Sequence, residues 1–306
     1  MRISLIGLGS MGRNHYRLLR SFPDVELISV CDPVLNNGLP EPAYPSLEGL
    51  LADPGACRPD GVVVAVPTIQ HRDIALRLAE EHIPFLLEKP LAATVADGVE
   101  ILEAIQRTGT PVALGHVERF NPVIQALLEE LRDKEIYSIA ITRVGPFPPR
   151  IKDVGVLVDL SVHDIDLIRL IAGGVELTES RIFKSVKING RNEDNAVLAF
   201  RFENDMVASI ITNWLTPFKK RQVEVATDRA YYEADLIAQE LHEYSAYQQN
   251  GSYVVRECRV HKSEPLANEL RAFINFLESG NRGCLATVED GLRTLEVIQR
   301  RRMVAV

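Results

Sequence analysis

The chain has 306 residues, of which 46% are apolar and 25% charged, the composition of an ordinary globular protein with one or two domains. Its formal net charge of −8 argues against a general nucleic-acid surface, although a local basic pocket is compatible with it. No apolar run is long enough to span a bilayer. From the charge and from these short runs we expect neither a nucleic-acid nor a membrane partner.

The four cysteines are scattered and form no C-x-x-C pair, which predicts reduced thiols and no zinc site. One basic residue precedes an apolar stretch at the start of the sequence, an arrangement that could indicate a signal peptide. That stretch contains three glycines of a different motif, however, and no small-residue cleavage site follows it. We therefore expect a cytoplasmic protein.

Short apolar runs and helix-length segments alternate over the first 115 residues. The predicted strands, rich in Val, Ile and Leu, are residues 2–6, 27–31, 61–66, 84–87 and 112–115. The predicted amphipathic helices are residues 11–21, 69–81 and 94–107. Repeated strand–helix–strand units predict a parallel sheet with helices on both faces.

The pattern then changes. We predict a helix over residues 120–133, a strand over 136–144, and a helix over 160–172 that ends at two glycines. Strand-like runs follow at residues 181–188, 196–202, 207–213 and 222–226, with a hairpin turn at 203–205. Two terminal helices, 266–278 and 288–302, are expected to pack back on the body.

These elements predict an α/β protein with two domains. Residues 1–118 are expected to form a Rossmann dinucleotide-binding domain. Residues 119–306 are expected to form an α+β domain on an open, mostly antiparallel sheet, which would bind the substrate and form oligomers. The last helices could pack on the first domain.

A glycine-rich turn, G-L-G-S-M-G, follows the first predicted strand and opens the first helix. In the G-x-G-x-x-G pattern Gly7 permits the tight turn, Gly9 lets backbone N–H groups approach a pyrophosphate, and Gly12 lets the helix pack closely. Ser10 and Met11 begin the helix whose N-terminus would face the phosphates. A loop that merely requires glycine is the alternative, but the strand-to-helix position favours a cofactor site.

An acidic residue, Asp32, ends the second predicted strand. A carboxylate there accepts hydrogen bonds from the adenosine ribose hydroxyls and repels a 2′-phosphate. Residues 33–37 contain no Lys or Arg that could hold such a phosphate. The sequence therefore predicts NAD rather than NADP, unless Asp32 only begins an Asp-Pro turn.

Three short motifs make the sequence resemble the Gfo/Idh/MocA oxidoreductase family over nearly its whole length. They are V-P-T-I-Q-H at residues 66–71, E-K-P at residues 88–90 and D-L-S-V-H at residues 159–163. The resemblance implies that Lys89, Asp159 and His163 line the active site. It also implies that further motif residues lie along the cofactor with Lys89, namely Pro67, Thr68, His71 and Glu88.

The oxidation of a secondary alcohol suits these residue types, because a hydride leaves for nicotinamide and the hydroxyl proton must also be removed. His163 can act as the general base, since histidine ordinarily titrates near neutral pH. The Lys89 ammonium can stabilise the developing alkoxide, and either residue could take the proton. Asp159 lies four residues before His163, so on a helix it can orient the imidazole or bind a substrate hydroxyl.

Each residue also has a structural interpretation. Asp159 could be the N-cap of a helix that begins at residue 160, His163 a core histidine, and Lys89 a loop residue. A metal site built on His163, Asp164 and Asp166 lacks a thiolate or a second histidine at useful spacing, so we expect no metal. The order of the motifs, after a cofactor fingerprint, favours catalysis.

Three further segments resemble the sugar-nucleotide branch of the family: G-H-V-E-R-F-N-P at residues 115–122, R-V-G-P-F-P-P-R at 143–150 and N-W-L-T-P at 213–217. They imply a UDP-sugar substrate and oxidation at C3 of UDP-N-acetylglucosamine, a step toward the 2,3-diamino sugar of lipid A. The implied substrate-binding residues, besides Lys89, Asp159 and His163, are Arg119, Asn121 and Arg150. Lys219, Lys220 and Arg221 are further basic residues available for the diphosphate, although such a run could also be a solvated strand edge. Trp214 could stack on a sugar or uracil face, or it could belong to the core.

An open sheet would leave an apolar face exposed in a monomer, so we expect a homodimer or homotetramer joined through residues 177–234. Two alternatives for the activity stay open. One is another dehydrogenase of the family, acting on a UDP-hexuronic acid, a free sugar or an inositol. The other is a non-catalytic NAD-binding sensor, against which Lys89 and His163 argue.

Overall fold

The computed structural model describes residues 1–34, 38–53, 55–148, 154–188, 190–246 and 250–299. The chain forms two compact units, one made of Met1–His116 with the chain from Leu266 onward, the other of Val117–Pro265. None of the helices within the described ranges is both long and apolar enough to cross a membrane.

The elements of the described chain follow in sequence order. Up to residue 116 they are β1 (Arg2–Ile6), α1 (Ser10–Ser21), β2 (Glu26–Cys31), β3 (Ala43–Tyr44), α2 (Leu47–Ala52), β4 (Gly61–Val64), α3 (His71–Glu80), β5 (Phe85–Glu88), α4 (Val95–Thr108) and β6 (Val112–Gly115). After it come α5 (Pro122–Glu130), β7 (Ile136–Pro146), α6 (Val162–Ile171), β8 (Leu177–Ser185), β9 (Asn195–Phe202), β10 (Val207–Asn213), β11 (Leu215–Thr227), β12 (Ala230–Asp235), β13 (Glu240–Ser245), β14 (Val255–Cys258), α7 (Pro265–Ser279) and α8 (Val288–Gln299).

The strands of the first unit form one parallel sheet in the order β3-β2-β1-β4-β5-β6. β4, with the sequence Gly-Val-Val-Val, and β5 are buried along their whole length, as expected for strands of a parallel sheet that is covered on both faces. This is the strand order of a dinucleotide-binding Rossmann fold, and it confirms the fold predicted for the N-terminal half.

The strand order reverses between β1 and β4. From β1 the chain moves outward to β2 and β3, and from β4 it moves the other way to β5 and β6. Ligands of such sheets bind at the carboxyl ends of the strands beside this reversal. The glycine turn follows β1, Asp32 follows β2 and Lys89 follows β5, so the predicted cofactor residues lie at the ligand-binding end of the sheet.

The second unit contains a sheet in the order β14-β13-β12-β11-β7-β10-β9-β8, in which neighbours are antiparallel except for β7 and β10. β9 alternates, with Leu198 and Phe200 buried and Val197 exposed. One face packs against α5 and α6. The other carries exposed apolar side chains, which confirms the predicted open, mostly antiparallel sheet.

The last helices complete the core of the first unit. Val288, Leu292 and Leu295 of α8 join a buried cluster with Ile101 of α4 and Leu114 of β6. Both predicted terminal helices form, and the predicted end of the second, after residue 299, lies outside the described residues. The division of function between residues 1–118 and 119–306 stays a prediction.

Some elements were not predicted from the sequence. β3 has only two residues and α2 only six, and the polar sequences of β13 and β14 show no alternation of apolar residues. β11 begins at residue 215 rather than at the predicted 222. Its first half was missed because it is mostly exposed and shows no buried strand pattern.

Candidate active site

Each glycine of the turn has its own steric reason. Gly7 has a φ of +96°, and a Cβ there would lie 2.7 Å from the carbonyl carbon of Ala65. A Cβ on Gly12 would lie 2.7 Å from the carbonyl carbon of Gly7, so glycine lets α1 start this close to the turn. Apart from Gly9 itself and its two chain neighbours, no described residue has an atom within 4 Å of a Cβ placed on Gly9, whose open side is therefore accessible to a ligand.

The start of α1 is suited to an anion. Gly9 precedes the helix without a capping side chain, and the first turn carries no acidic residue. The first backbone N–H groups therefore keep their hydrogen-bonding capacity at the positive end of the helix dipole. Ser10 and Met11 are exposed in that turn. These features fit the pyrophosphate of a dinucleotide.

Asp32 is fixed to the glycine turn by hydrogen bonds from the backbone. The N–H of Leu8 donates to Oδ2 at 2.6 Å, and the N–H of Val34 donates to Oδ1 at 2.8 Å. The bond from Val34 belongs to a local turn, as expected if Asp32 begins an Asp-Pro turn. It leaves room for a ribose hydroxyl as well, because each carboxylate oxygen has a second lone pair. Residues 35–37 of the predicted cation-free segment lie outside the described residues.

His71 connects the two segments that the family resemblance places along the cofactor. Its Nδ1 lies 2.8 Å from the carbonyl oxygen of Pro90, and its Nε2 lies 3.1 Å from that of Val66. Burial lowers the pKa of His71 below the usual value for histidine. A neutral ring has one N–H, so it donates to one of these two carbonyls while it packs between the loops. Pro67 is exposed and Thr68 half-buried.

Glu88, at the end of β5, is buried and has a partner that the sequence analysis missed. Its Oε1 lies 2.7 Å from Nε2 of His15 on α1, and its Oε2 accepts the N–H of Lys89 at 3.2 Å. Burial by itself raises the pKa of Glu88, but His15 and Lys89 outweigh it and hold the pKa below its usual value. Lys89 is half-buried. The one sequence signal for His15 is its position three residues after Gly12, on the helix of the fingerprint.

Asp159 and His163 lie on one continuous helical stretch of the second unit. Asp159 is in a π turn, Leu157–Ser161, where its N–H donates to the carbonyl of Gly155 at 3.0 Å. His163 is in the first turn of α6, and both side chains are half-buried. Asp159 is thus inside the helical stretch and is not its N-cap. π turns occur frequently at functional sites.

The carboxyl group of Asp164, the residue after the candidate base, belongs to a buried ion network. Its Oδ1 accepts from Nε of Arg143 at 2.7 Å, and Nη1 of that arginine donates to Oε1 of Glu118 at 2.8 Å. Arg221 donates to the same Glu118 oxygen at 3.2 Å.

Burial by itself raises the pKa of Glu118, but the two arginines lower it below its usual value. Burial raises the pKa of Asp164 in spite of Arg143. Burial lowers the pKa of Arg221, and the charge of Asp159 is among those that oppose this shift, so a proposed active-site residue lies within electrostatic reach of the network.

Arg119 and Asn121 both have structural partners. Nε and Nη2 of Arg119 donate to the two carboxylate oxygens of Asp166 at 2.7 and 2.6 Å, and the arginine side chain is only 7% exposed. Oδ1 of Asn121 accepts the N–H of Val123 at 3.3 Å, and its Nδ2 donates to the carbonyl of Leu236 at 3.0 Å. As this cap begins α5, the helix starts later than residue 120, its predicted beginning. The geometry favours a structural role over substrate binding for both residues.

The other candidate substrate contacts lie in different surroundings. Arg150 lies outside the described residues. Trp214 is buried, and its ring packs edge-to-face on Phe147 with centroids 5.5 Å apart, which makes it a core residue. Lys219 and Lys220 are exposed on β11.

Within the described ranges, Glu130, Glu243 and Cys258 bring metal-ligating atoms within 4.8 Å of one another. Arg256 donates to both carboxylates and so offsets part of their negative charge. The two carboxyl groups that the alternative metal site would use with His163 are likewise paired with arginines, Asp164 with Arg143 and Asp166 with Arg119.

Two family profiles match the chain. Residues 1–116 match the oxidoreductase family with an NAD-binding Rossmann fold, and residues 135–233 match the Gfo/Idh/MocA C-terminal domain. The chain belongs to the Gfo/Idh/MocA family of NAD-binding oxidoreductases, and the prediction made from its motifs is confirmed.

Relatives of this chain include a sugar-nucleotide dehydrogenase and an inositol dehydrogenase. The chain is 27% identical to the UDP-N-acetylglucosamine 3-dehydrogenase of Acidithiobacillus ferrooxidans over 287 residues, 90% of this chain and 88% of that protein. A solved structure of that dehydrogenase matches with a TM-score of 0.87 at 25% identity, over 97% of this chain and 95% of the other. The scyllo-inositol 2-dehydrogenase (NAD(+)) of Bacillus subtilis is 29% identical over 189 residues, 56% of this chain and 54% of that protein.

Proposed function

We propose that this enzyme uses NAD to oxidise the C3 hydroxyl of UDP-N-acetylglucosamine to the 3-keto sugar nucleotide. The observation that carries the proposal is the extent of the similarity to the UDP-N-acetylglucosamine 3-dehydrogenase, which covers 90% of this chain and includes both units. The similarity to the inositol dehydrogenase covers 56%. In the cytoplasm, an aminotransferase would convert the product toward the 2,3-diamino sugar of lipid A.

NAD is the proposed cofactor because Asp32 can accept hydrogen bonds from the adenosine ribose and would repel a 2′-phosphate. When bound, the nicotinamide accepts the hydride that leaves the substrate carbon. His71 would act indirectly, by holding the loops. The proposed contact residues are Gly7, Gly9, Ser10, Met11, Gly12, Asp32, Pro67, Thr68, Glu88 and Lys89.

Three side chains share the proposed chemistry. Lys89 donates a hydrogen bond to the hydroxyl oxygen and stabilises the negative charge that develops there. His163 takes the hydroxyl proton as general base. Asp159 orients the imidazole or binds a neighbouring hydroxyl of the sugar.

The diphosphate of the substrate requires cations. Arg221 is the best placed of the described candidates, because its side chain is 41% exposed and it interacts with Asp159. Arg150 stays in the proposed substrate-binding set. For Arg119 and Asn121 we propose a supporting role, in which they hold the start of α5 and the end of the preceding turn.

The proposal is tested by mixing the purified enzyme with NAD and UDP-N-acetylglucosamine, the uronate derivative of that sugar nucleotide, or myo-inositol. The absorbance band of the reduced nicotinamide should develop with the first. A band with another substrate instead would support the corresponding dehydrogenase of the family. NAD binding without turnover on any of them would support the sensor.

Variants test the assigned roles. Lys89→Ala and His163→Ala should each lower kcat by about 100-fold or more, while calorimetry should find NAD affinity within about threefold of the original. Lys184→Ala, which removes an exposed lysine of β8, is the matched control and should leave kcat unchanged. Near-normal turnover in either variant would remove that residue from the mechanism.

We also propose that copies of this chain assemble through the open face of the second unit, as a homodimer or homotetramer. Phe183, Val197 and Ile211 are directly opposed on β8, β9 and β10 and all are exposed. They form a continuous apolar stripe that a second copy would cover.

A further inference from the structure

Glu88 is among the proposed NAD contacts, but its buried pairing with His15 has no assigned purpose. The His15 side chain is 0% exposed and that of Glu88 10%, and the ring nitrogen and carboxylate oxygen are 2.7 Å apart. The preceding residues of β5, Phe85, Leu86 and Leu87, are completely buried. A carboxylate in such surroundings is costly unless it is paired. Pairing therefore explains how the carboxylate is tolerated but leaves open why it is there.

The position of the carboxylate is closely fixed. Gly115 on β6 lies opposite Glu88 in the sheet, and a Cβ there would lie 3.2 Å from Oε2 and 3.3 Å from Cδ of the glutamate. Oε2 also accepts the N–H of Lys89, while Oε1 is held by His15. The carboxylate is thus confined by β6, by α1 and by its own chain.

The titratable groups around Glu88 determine which hydrogen bonds its carboxylate makes. Among the described residues, the titratable groups that face it are His15 from α1, Lys89 from its own chain and His71 from α3. An ionised carboxylate can only accept hydrogen bonds, so Nε2 of His15 is the donor. A buried negative charge therefore lies one residue before the lysine to which we assign the substrate hydroxyl.

His15 is on the helix that begins at the glycine turn, one helical turn beyond Gly12. We propose that His15 is a positioning residue: by holding the carboxylate of Glu88 it fixes the end of β5, and with it Lys89, relative to the helix that faces the dinucleotide. This inference rests on the proposed function, because the position of Lys89 matters only if it acts on the substrate. The competing explanation is a polar pair that only stabilises the core.

The first test requires no substrate. The amine of Lys89 is acylated with acetic anhydride over a range of pH and followed by peptide mass spectrometry. In Glu88→Gln the ammonium loses a neighbouring negative charge. In His15→Ala the carboxylate stays charged in the pH range in which a lysine titrates, but Oε1 is no longer held in place, so the carboxylate stabilises the ammonium less. The pH midpoint of Lys89 acylation should move to lower pH in both variants.

Two further variants complete this test. His15→Gln, whose amide can still donate to the carboxylate, should restore most of the original midpoint. Ser4→Ala breaks the 2.7 Å hydrogen bond between Ser4 and Ser29, another buried pair of the same sheet. This control should leave the midpoint unchanged.

The second test uses UDP-N-acetylglucosamine and NAD. His15→Ala should lower kcat about tenfold or more while KM for NAD stays within about threefold, because a small displacement of a positioned group affects turnover more than cofactor binding. The acidic limb of kcat against pH should move to higher pH, because the pKa of Glu88 rises when the imidazole of His15 is removed. In a Glu88→Gln background the same change should cause little further loss, since the carboxylate charge through which it acts is gone. Ser4→Ala should lower Tm without changing the pH profile.

Unchanged acylation midpoints in Glu88→Gln and His15→Ala would overturn the inference, and so would an equal loss of kcat in Ser4→Ala. Near-normal turnover of Lys89→Ala would instead remove Lys89 from the proposed mechanism, while the acylation midpoints would still decide whether His15 holds the charge beside Lys89. If His15→Ala does not fold, His15→Gln and Glu88→Gln carry both tests.

Discussion

Gly9 and Gly12 offer a matched pair of substitutions in one turn, with opposite expected results. Gly9→Ala should weaken NAD binding and leave the fold intact, whereas Gly12→Ala should destabilise the fold. Apart from Gly9 itself and its two chain neighbours, no described residue has an atom within 4 Å of a Cβ on Gly9, but a Cβ on Gly12 would lie 2.7 Å from the carbonyl carbon of Gly7. The backbone of Gly9, with φ −65° and ψ −165°, is extended and suits alanine.

The magnitudes follow from these surroundings. In Gly9→Ala, the lost preference for glycine at the N-cap, about 1 kcal/mol, is offset by the lower entropy of the unfolded chain, about 0.4–1 kcal/mol, so Tm should hardly change. The methyl group would enter the space that we assign to the pyrophosphate. Overpacking of this kind costs about 1–3 kcal/mol, or about 5- to 160-fold in NAD affinity. In Gly12→Ala the clash is with backbone, and a cost of about 3 kcal/mol would lower Tm by about 6–12 °C.

Both variants can be examined by calorimetric titration with NAD and by scanning calorimetry. The original NAD affinity in Gly9→Ala would mean that the open side of the turn does not hold the pyrophosphate. Equal losses of Tm in the two variants would mean that the two glycines share one steric role, against the reasoning from their neighbours.

Three further predictions concern the cofactor, the ion network and the sheet. Asp32→Ala should raise affinity for NADP relative to NAD about tenfold or more, since a repulsive carboxylate is removed; unchanged discrimination in competitive titrations would contradict the cofactor assignment. The pKa of Glu118 is lowered from 4.5, so this group contributes stability above that pH and loses it as the pH falls through the folded value. Glu118→Gln should therefore have a lower Tm that falls less steeply on acidification, and curves of equal slope would exclude this role. Ile211→Lys should convert the proposed oligomer to a monomer by light scattering, with Glu203→Lys, outside the stripe, as the control; an unchanged mass would exclude this face as the interface.

The N-terminal half could be predicted because its signals are local. A run such as the valines of β4 is strand-like by itself, and the strands at residues 2–6 and 112–115 have the predicted bounds. The turn at Gly7 needs a positive φ that glycine supplies without strain. Each of these features depends on a few consecutive residues, so a pattern in the sequence is sufficient to find it.

The roles of the charged residues could not be predicted in the same way. Arg119 bonds Asp166, 47 residues away, and Glu88 bonds His15, 73 residues away. The sequence gives the residue types but not the fold that brings them together. An arginine at the start of a helix is therefore equally compatible with a phosphate and with a buried carboxylate until the partner is known.

The two proposed reactive groups have the same local arrangement. Glu88 directly precedes Lys89, and Asp164 directly follows His163. Each neighbour is a buried carboxyl group bonded to a basic side chain of another element, His15 in one case and an arginine of β7 in the other. Adjacent side chains on a strand or a helix point in different directions, so one can reach the core while the other faces a ligand. A buried bond at the neighbour therefore fixes the backbone that carries the reactive group without occupying the space in which the substrate must lie.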